Sequence, residues 1–277
     1  MAEYGPMRLV ISAWVGKVPQ RDGCVSAARK AFSYFERVAA LKNELSSPFP
    51  RDPAPMKDPV ARAMVESVRE MGDKDLTPLA AVAGSLADAV ADFLFERGMT
   101  RVLVNNGGDI AARLVGDEPL RVGVGPATQQ GGTVGVILLD SSFPSWGVAT
   151  SGLGGRSFTR GVASAVTVMA RTASLADAAA TAVANASFVE DASVIRRKAG
   201  EIDPGTDIPG LDVTVRVGPL SREKRSGAIR KALERAEELI EKGAILGAGV
   251  TVEGETACTS FFQNHLENPG EPPRSKN

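Results

Sequence analysis

Three short segments carry residue types at spacings that can do chemistry. In Val104-Asn-Asn-Gly-Gly-Asp-Ile110 a strand runs into two asparagines, two glycines and an acid. Gly107 and Gly108 permit positive φ and carry no Cβ, so a ligand can approach the backbone beside Asn106. Asp109 offers a carboxylate to a ribose hydroxyl, a ring N–H or a metal ion. Asn-Gly between alternating strands is also a strong hairpin signal, and the segment alone favours a turn without further function. The second segment, Ala149-Thr-Ser-Gly-Leu-Gly-Gly-Arg-Ser-Phe-Thr-Arg-Gly161, packs four glycines, four hydroxyls and two arginines into thirteen residues. It reads as a phosphate loop, in which free N–H groups form an anion-binding concavity and Arg156 or Arg160 pairs with phosphate oxygens. A mobile basic surface loop is the competing reading. The third segment is Ser174-Leu-Ala-Asp-Ala-Ala-Ala-Thr181. Asp177 and Thr181 stand four apart on a helix and share one face, a hard-oxygen pair suited to Mg²⁺. Ser174 followed three residues later by Asp177 also has the form of a capping box, and on spacing alone capping is favoured.

The composition removes other chemistries. His265 is the single histidine, placed in a polar, proline-rich end, so triads, histidine bases and His-ligated zinc all lack their parts. Cys24 and Cys258 alone give neither a disulfide framework nor a metal spacing, which fits a reducing compartment. With 32 Lys+Arg against 33 Asp+Glu, no field of either sign is available to collect a nucleic acid or an anionic membrane surface. No apolar leader opens the chain and no stretch reaches about 18 uninterrupted apolar residues, so the expected location is the cytoplasm.

The elements that must position these residues are legible in outline. Arg8–Val15 reads as a strand, followed by a helix over 25–45 whose Ala28, Phe32, Phe35 and Ala39 stripe one face as core. Five prolines between Pro48 and Pro59 mark a loop, a connector or a lid over a site. Residues 59–71 and Leu79–Arg97 read as helices, the second Ala-rich and capped by Gly98. Strands are expected at 101–104, 110–115, 120–124, 133–139 and 165–170, too closely spaced for helical crossovers and so antiparallel. A second Ala-rich helix covers 175–186, a strand 211–217, and a charged helix ends at Gly243 with Glu238 and Lys242 as an i,i+4 pair. A last strand lies at 248–252. The expected fold is α+β, a mainly antiparallel sheet flanked by Ala-rich helices, as one domain over 1–254 with a flexible tail at 255–277. Ser85-Leu-Ala-Asp-Ala89 recurs as Ser174-Leu-Ala-Asp-Ala178, which either an internal duplication or coincidence in an Ala-rich vocabulary explains. Exposed sheet edges leave self-association into a homo-oligomer open.

Taken in order, the segments resemble the ApbE superfamily, whose best known members are FAD:protein FMN transferases. The resemblance rests on Asn106-Gly-Gly-Asp-Ile110, Ala149-Thr-Ser-Gly152 and Ala176-Asp-Ala-Ala-Ala-Thr181, with Ala80-Ala-Val-Ala-Gly-Ser-Leu-Ala-Asp88 upstream in place of the family's Gly-x-x-Lys-Gly-x-x-x-Asp. It spans residues ~75 to ~187 and looks most like an uncharacterised branch labelled thiamine-biosynthesis related. The resemblance implies Asp177 and Thr181 as Mg²⁺ ligands with a carbonyl near Ala80 as a third. Asn106, Gly107, Gly108 and Asp109 would line the flavin pocket, and Thr150, Ser151 and Gly152, with Arg156 nearby, would face the pyrophosphate. Two departures stand out: no histidine occurs between Gly154 and Gly161, where the transferases carry His-x-x-Asp-Pro-x-Thr-Gly, and Ala83 stands where they carry Lys. The expected function is a Mg²⁺-dependent FAD or FMN binding protein acting as an atypical FMN transferase or FAD pyrophosphatase. The alternatives are a non-catalytic flavin carrier for a redox protein, or an enzyme on an unrelated small molecule. Aromatic residues are 5% of the chain, and Phe49, Trp14, Trp146 and Phe158 are the candidates to stack on an isoalloxazine.

Overall fold

A computed structural model describes residues 1–47, 56–116, 118–124 and 135–267. In chain order the elements are β1 (Ala2–Tyr4), β2 (Met7–Val15), β3 (Val18–Pro19), α1 (Arg21–Ala40), α2 (Lys42–Leu45), α3 (Pro59–Met71), a 3₁₀ turn (Pro78–Ala81) and α4 (Val82–Phe95). There follow β4 (Arg101–Asn106), β5 (Asp109–Leu114), β6 (Leu120–Val124), β7 (Gly135–Leu139), β8 (Ser145–Ser151), β9 (Ala165–Ala170) and α5 (Ala173–Ala186). The chain continues through β10 (Val194–Lys198), α6 (Ala199–Ile202), β11 (Asp212–Val217), α7 (Arg222–Glu241), β12 (Gly247–Val252), β13 (Glu255–Cys258), α8 (Ser260–His265) and β14 (Leu266–Glu267).

The main sheet runs β1-β2-β4-β5-β8-β9-β12-β13, with β3 added to β2, and every pairing is antiparallel. The α+β expectation therefore holds. The chain traverses this sheet in two matching halves, each a strand pair, a helical excursion and a second strand pair, joined at the β5–β8 seam. The repeated Ser-Leu-Ala-Asp-Ala does not sit at matching places in those halves: α4 precedes the second strand pair of its half, whereas α5 follows the first strand pair of its own.

Helices α1, α4, α5 and α7 lie against one face, and α3 packs on α4 and α5 from outside. Alanine and glycine at the contacts let α4 and α5 approach closely, and α4 is buried on most faces, as its composition requires. The apolar stretch Pro78–Phe95, the one described segment long and apolar enough to cross a bilayer, is this central helix. The opposite face of β5, β8 and β9 is covered by a small β14-β7-β6 sheet and α8. Strand β5 is thus buried on both sides, with Ile110, Ala112, Trp146, Val148 and Met169 forming a second core against Leu120, Val122, Ile137, Leu139 and Phe262.

Several sequence expectations are corrected. The buried stripe of α1 is Ala27, Ala31 and Val38; Phe32 and Phe35 are half-buried and Ala39 is exposed. Glu238 takes its ion pair from Arg235 at 2.7 Å, rather than from Lys242. The flexible tail does not begin at 255, because β13, α8 and β14 occupy 255–267. Phe262 is 3% exposed, and His265 stacks on Phe261 with ring centroids 4.2 Å apart. Residues 268–277 and the proline-rich stretch 48–55 lie outside the described residues. A direct consequence is that Phe262→Ala should cost about 3–5 kcal/mol, the usual range for emptying a buried phenylalanine site. Unchanged thermal unfolding of that variant would restore the tail reading.

Candidate active site

The N-terminal turns of α4 and α5 meet backbone to backbone at Gly84. A Cβ there would lie 2.2 Å from the Ala173 carbonyl oxygen and 2.9 Å from Asp177 Cβ. This contact lets each helix supply the acid that caps the other. Asp177 on α5 accepts the Gly84 N–H at 2.9 Å, satisfying a first-turn donor of α4. Asp88 on α4 accepts the N–H groups of Ala173 at 3.1 Å and Ser174 at 2.8 Å, first-turn donors of α5. The recurring Ser-Leu-Ala-Asp thus has a reciprocal structural meaning. The capping-box reading is corrected: Thr172 is the N-cap of α5, its hydroxyl accepting from Leu175, while Ser174 lies inside the helix and Asp177 caps the neighbouring one.

The two acids differ in their counter-charge. Asp88 is paired with Arg113 at 3.0 Å, and Arg113 also reaches Asp92 at 2.7 Å. Asp177 instead faces a cavity of about 510 Å³ with Asp109 beside it. The β4–β5 turn brings Asp109 there: Asn106 and Asp109 are paired across it, and Gly107 and Gly108 take φ of 68° and 119°. The hairpin and the ligand-facing readings of this segment are therefore compatible. Asn106, 2% exposed, ties the turn down by donating to the Ala83 carbonyl at 3.1 Å and accepting from Arg8 N–H at 3.3 Å.

Burial pushes the Asp109 carboxyl up to about 7, against the opposing pull of the Arg156 charge and the Thr150 amide. Burial, and then the charge of Asp109, raise Asp177 well above the usual carboxylate range, against the Gly84 and Ala83 amides and Arg156. Arg156 is exposed and anchored by donating to the Pro6 carbonyl at 2.8 Å and the Asn106 carbonyl at 3.5 Å. Its guanidinium lies over Gly107, where a Cβ would come within 2.0 Å of Nη2.

Of the residues singled out in the sequence, Ala80, Asn106, Gly107, Asp109, Thr150, Ser151, Arg156, Asp177 and Thr181 line this one cavity. Gly108 and Gly152 do not. Gly108 sits in the exposed turn, and Gly152, at φ 139°, packs against the carbonyls of Ala163 and Ser164. The segment 149–151 is the end of β8 rather than loop, with the Thr150 and Thr167 hydroxyls 2.9 Å apart. Arg160 turns away to pair with Asp75 at 2.6 Å.

A second cavity of about 310 Å³ shares Leu79, Ala80, Arg156, Ser157 and Thr181 with the first and is lined beyond them by Lys42, Phe158 and Asp207. Among the proposed stacking residues that are described, only Phe158 lines either cavity. Trp146 is fully buried in the second core, Trp14 packs under Arg101, and Phe49 lies outside the described residues. The aromatic residue that sequence reading missed is Phe35, which lines the main cavity after being counted as core. A wider groove between α7 and β13, about 960 Å³, is lined by Glu234, Glu237, Glu238, Glu241 and Glu255 beside Ile229 and Leu233, and holds none of the candidate site residues read from the sequence.

The Asp109 shift has a measurable consequence. Between the ordinary carboxylate range and about pH 7 the folded chain retains a proton that the unfolded chain has released, so this group's contribution falls as pH rises through that window. The melting temperature of the wild type, taken relative to Asp109→Asn, should therefore decline from pH 5 to pH 8. A flat difference would show that Asp109 ionises freely.

The geometry can be set beside known proteins. A family model described as AbpE bacteria matches residues 1–258. A UPF0280 protein of Methanospirillum hungatei is 36% identical over 127 residues, 46% of this chain and 51% of that one. A UPF0280 protein of Methanosphaerula palustris is 39% identical over 115 residues, 41% and 48% of the two chains. The chain spans about half the length of these curated relatives. Among solved structures, the apo flavinyl transferase ApbE of Pseudomonas stutzeri is 20% identical with a TM-score of 0.38, over 69% of this chain and 50% of that one. The ApbE protein of Thermotoga maritima is 17% identical with a TM-score of 0.40, over 67% and 52%. The structural likenesses are slight and the assignment rests on the family model: the chain belongs to the family described as AbpE bacteria.

Proposed function

We propose that this member of the AbpE bacteria family binds a flavin nucleotide, FAD or FMN, together with Mg²⁺, and that with FAD the pyrophosphate P–O bond breaks, AMP leaving as FMN passes to water or to a hydroxyl acceptor. The observation that carries the reading is the contrast between two acids in the same reciprocal geometry. Asp88 has a dedicated protein cation, Arg113, whereas Asp177 shares its cavity with a second carboxylate and the exposed Arg156. The Asp177 side of the clamp is a place for a cation. Residues with oxygen donors around it suit a hard ion: Asp177, Thr181 one turn on, and Ala80 all line the cavity. Among the described residues no three His, Cys, Asp or Glu side chains converge, which accords with an ion that completes its shell with water and phosphate oxygens. When bound, Mg²⁺ would neutralise pyrophosphate charge.

The chain's own groups then have separate tasks. Arg156 supplies charge beside the phosphates from a loop anchored to Pro6 and Asn106. Asn106 holds the Gly107 turn against α4, so that a ligand can lie close to the backbone. Phe35 and Phe158 offer apolar ring faces in the two connected cavities. His265 sits in the aromatic cluster with Trp146, so any group transfer here depends on charge and positioning rather than on a histidine base.

Incubation of the protein with FAD and Mg²⁺, followed by nucleotide analysis, tests the catalytic part; AMP release is the expected result. Quantitative recovery of intact FAD would favour a carrier that hands flavin to a redox protein. Ala83, standing where the transferases that the chain resembles carry lysine, is the observation behind that second reading.

A further inference from the structure

We propose that Asp88 is a positioning residue for the cation site, acting on Asp177 and Thr181 through the first turn of α5. The inference rests on the metal reading above and goes beyond it to a residue outside the cavity. Four links make a closed ring. Asp88 holds the Ala173 and Ser174 amides, one turn of α5 leads to Asp177, Asp177 holds the Gly84 amide, and one turn of α4 leads back to Asp88. A helix whose first-turn amides are fixed to an external carboxylate cannot rotate or slide without breaking those bonds, and the direction in which Asp177 and Thr181 project is fixed with it. Arg113 fixes Asp88 in turn: its guanidinium donates to Asp88, Asp92 and the Ala112 carbonyl, and it is 5% exposed. The backbone allows little slack elsewhere, because a Cβ at Gly147 would lie 2.0 Å from the Thr172 carbonyl oxygen. The ring thus transmits the geometry of a buried acid paired with Arg113 to one that faces the cavity.

The test is Mg²⁺ titration by calorimetry of wild type, Asp88→Asn and Leu94→Ala, each below its melting temperature. Leu94 is fully buried at the far end of the same helix, and its truncation controls for stability alone. Asp88→Asn should bind Mg²⁺ about tenfold or more weaker, as expected for an outer partner of a metal ligand, while Leu94→Ala melts lower with wild-type affinity. Wild-type affinity in Asp88→Asn, or equal losses in both variants, would overturn the positioning role and leave Asp88 a helix cap. If Asp88→Asn does not fold, Arg113→Lys, which keeps the charge and loses the fork, is read by the same criteria. A wild type that takes no Mg²⁺ would sink the cation reading itself, and the positioning role with it.

Discussion

Asp177→Asn should melt higher than the wild type without metal while losing about 100-fold or more in Mg²⁺ affinity. The amide oxygen can still accept the Gly84 N–H, so the cap on α4 survives. What disappears is an acid that must either take up a proton on folding or carry a charge that both burial and Asp109 oppose. Relief of that repulsion should raise the melting temperature by a few degrees, about 2–4 °C for each kcal/mol in a chain of this size. Loss of a charged ligand removes the main attraction for a hard cation. Thermal unfolding with and without Mg²⁺ reads both effects at once, and their opposite signs separate function from structure. A variant that simply melted lower, with metal response intact, would mean that Asp177 is a cap and nothing else.

Gly84→Ala should be the most damaging small substitution at the site. The added methyl would sit 2.2 Å from the Ala173 carbonyl oxygen and 2.5 Å from its carbon. These are backbone atoms, so relief requires α4 and α5 to move apart. Overpacking of this kind costs about 1–3 kcal/mol, and more where the backbone must shift. The shift would also stretch the Gly84–Asp177 bond and both Asp88 bonds, so metal response should fall together with stability. Urea unfolding and a Mg²⁺ titration of the variant check the two halves of this expectation. Wild-type stability would show that the two helix termini are not in the close contact described.

The residues that proved legible in the sequence are those whose partners lie within one element. Asp177 and Thr181 share a helix face by i,i+4 spacing, and the two glycines between Asn106 and Asp109 announce their turn locally. The reciprocal capping was invisible because its hydrogen bonds span more than eighty residues and join amides that no motif marks. Strand β8 was overlooked since Gly147 and the Ser/Thr end of the strand weaken its β signal. Yet Gly147 is required there because the Thr172 backbone passes directly over it. Phe35 was assigned to core from a helical stripe; it does pack, partly buried, against the core, and it also lines the cavity, which the stripe alone does not announce. At 255–267 a polar, short segment read as tail, although Phe261 and Phe262 are the apolar pair that fixes α8 against β12 and Trp146.

The most direct test of the central claim is titration of the purified protein with FAD in Mg²⁺ and again in chelator, followed by calorimetry. The charge balance at Asp177 and Asp109 predicts FAD binding that Mg²⁺ strengthens at least about tenfold, through an added metal–phosphate interaction. Binding indifferent to the metal, or no FAD binding in either condition, would contradict the account.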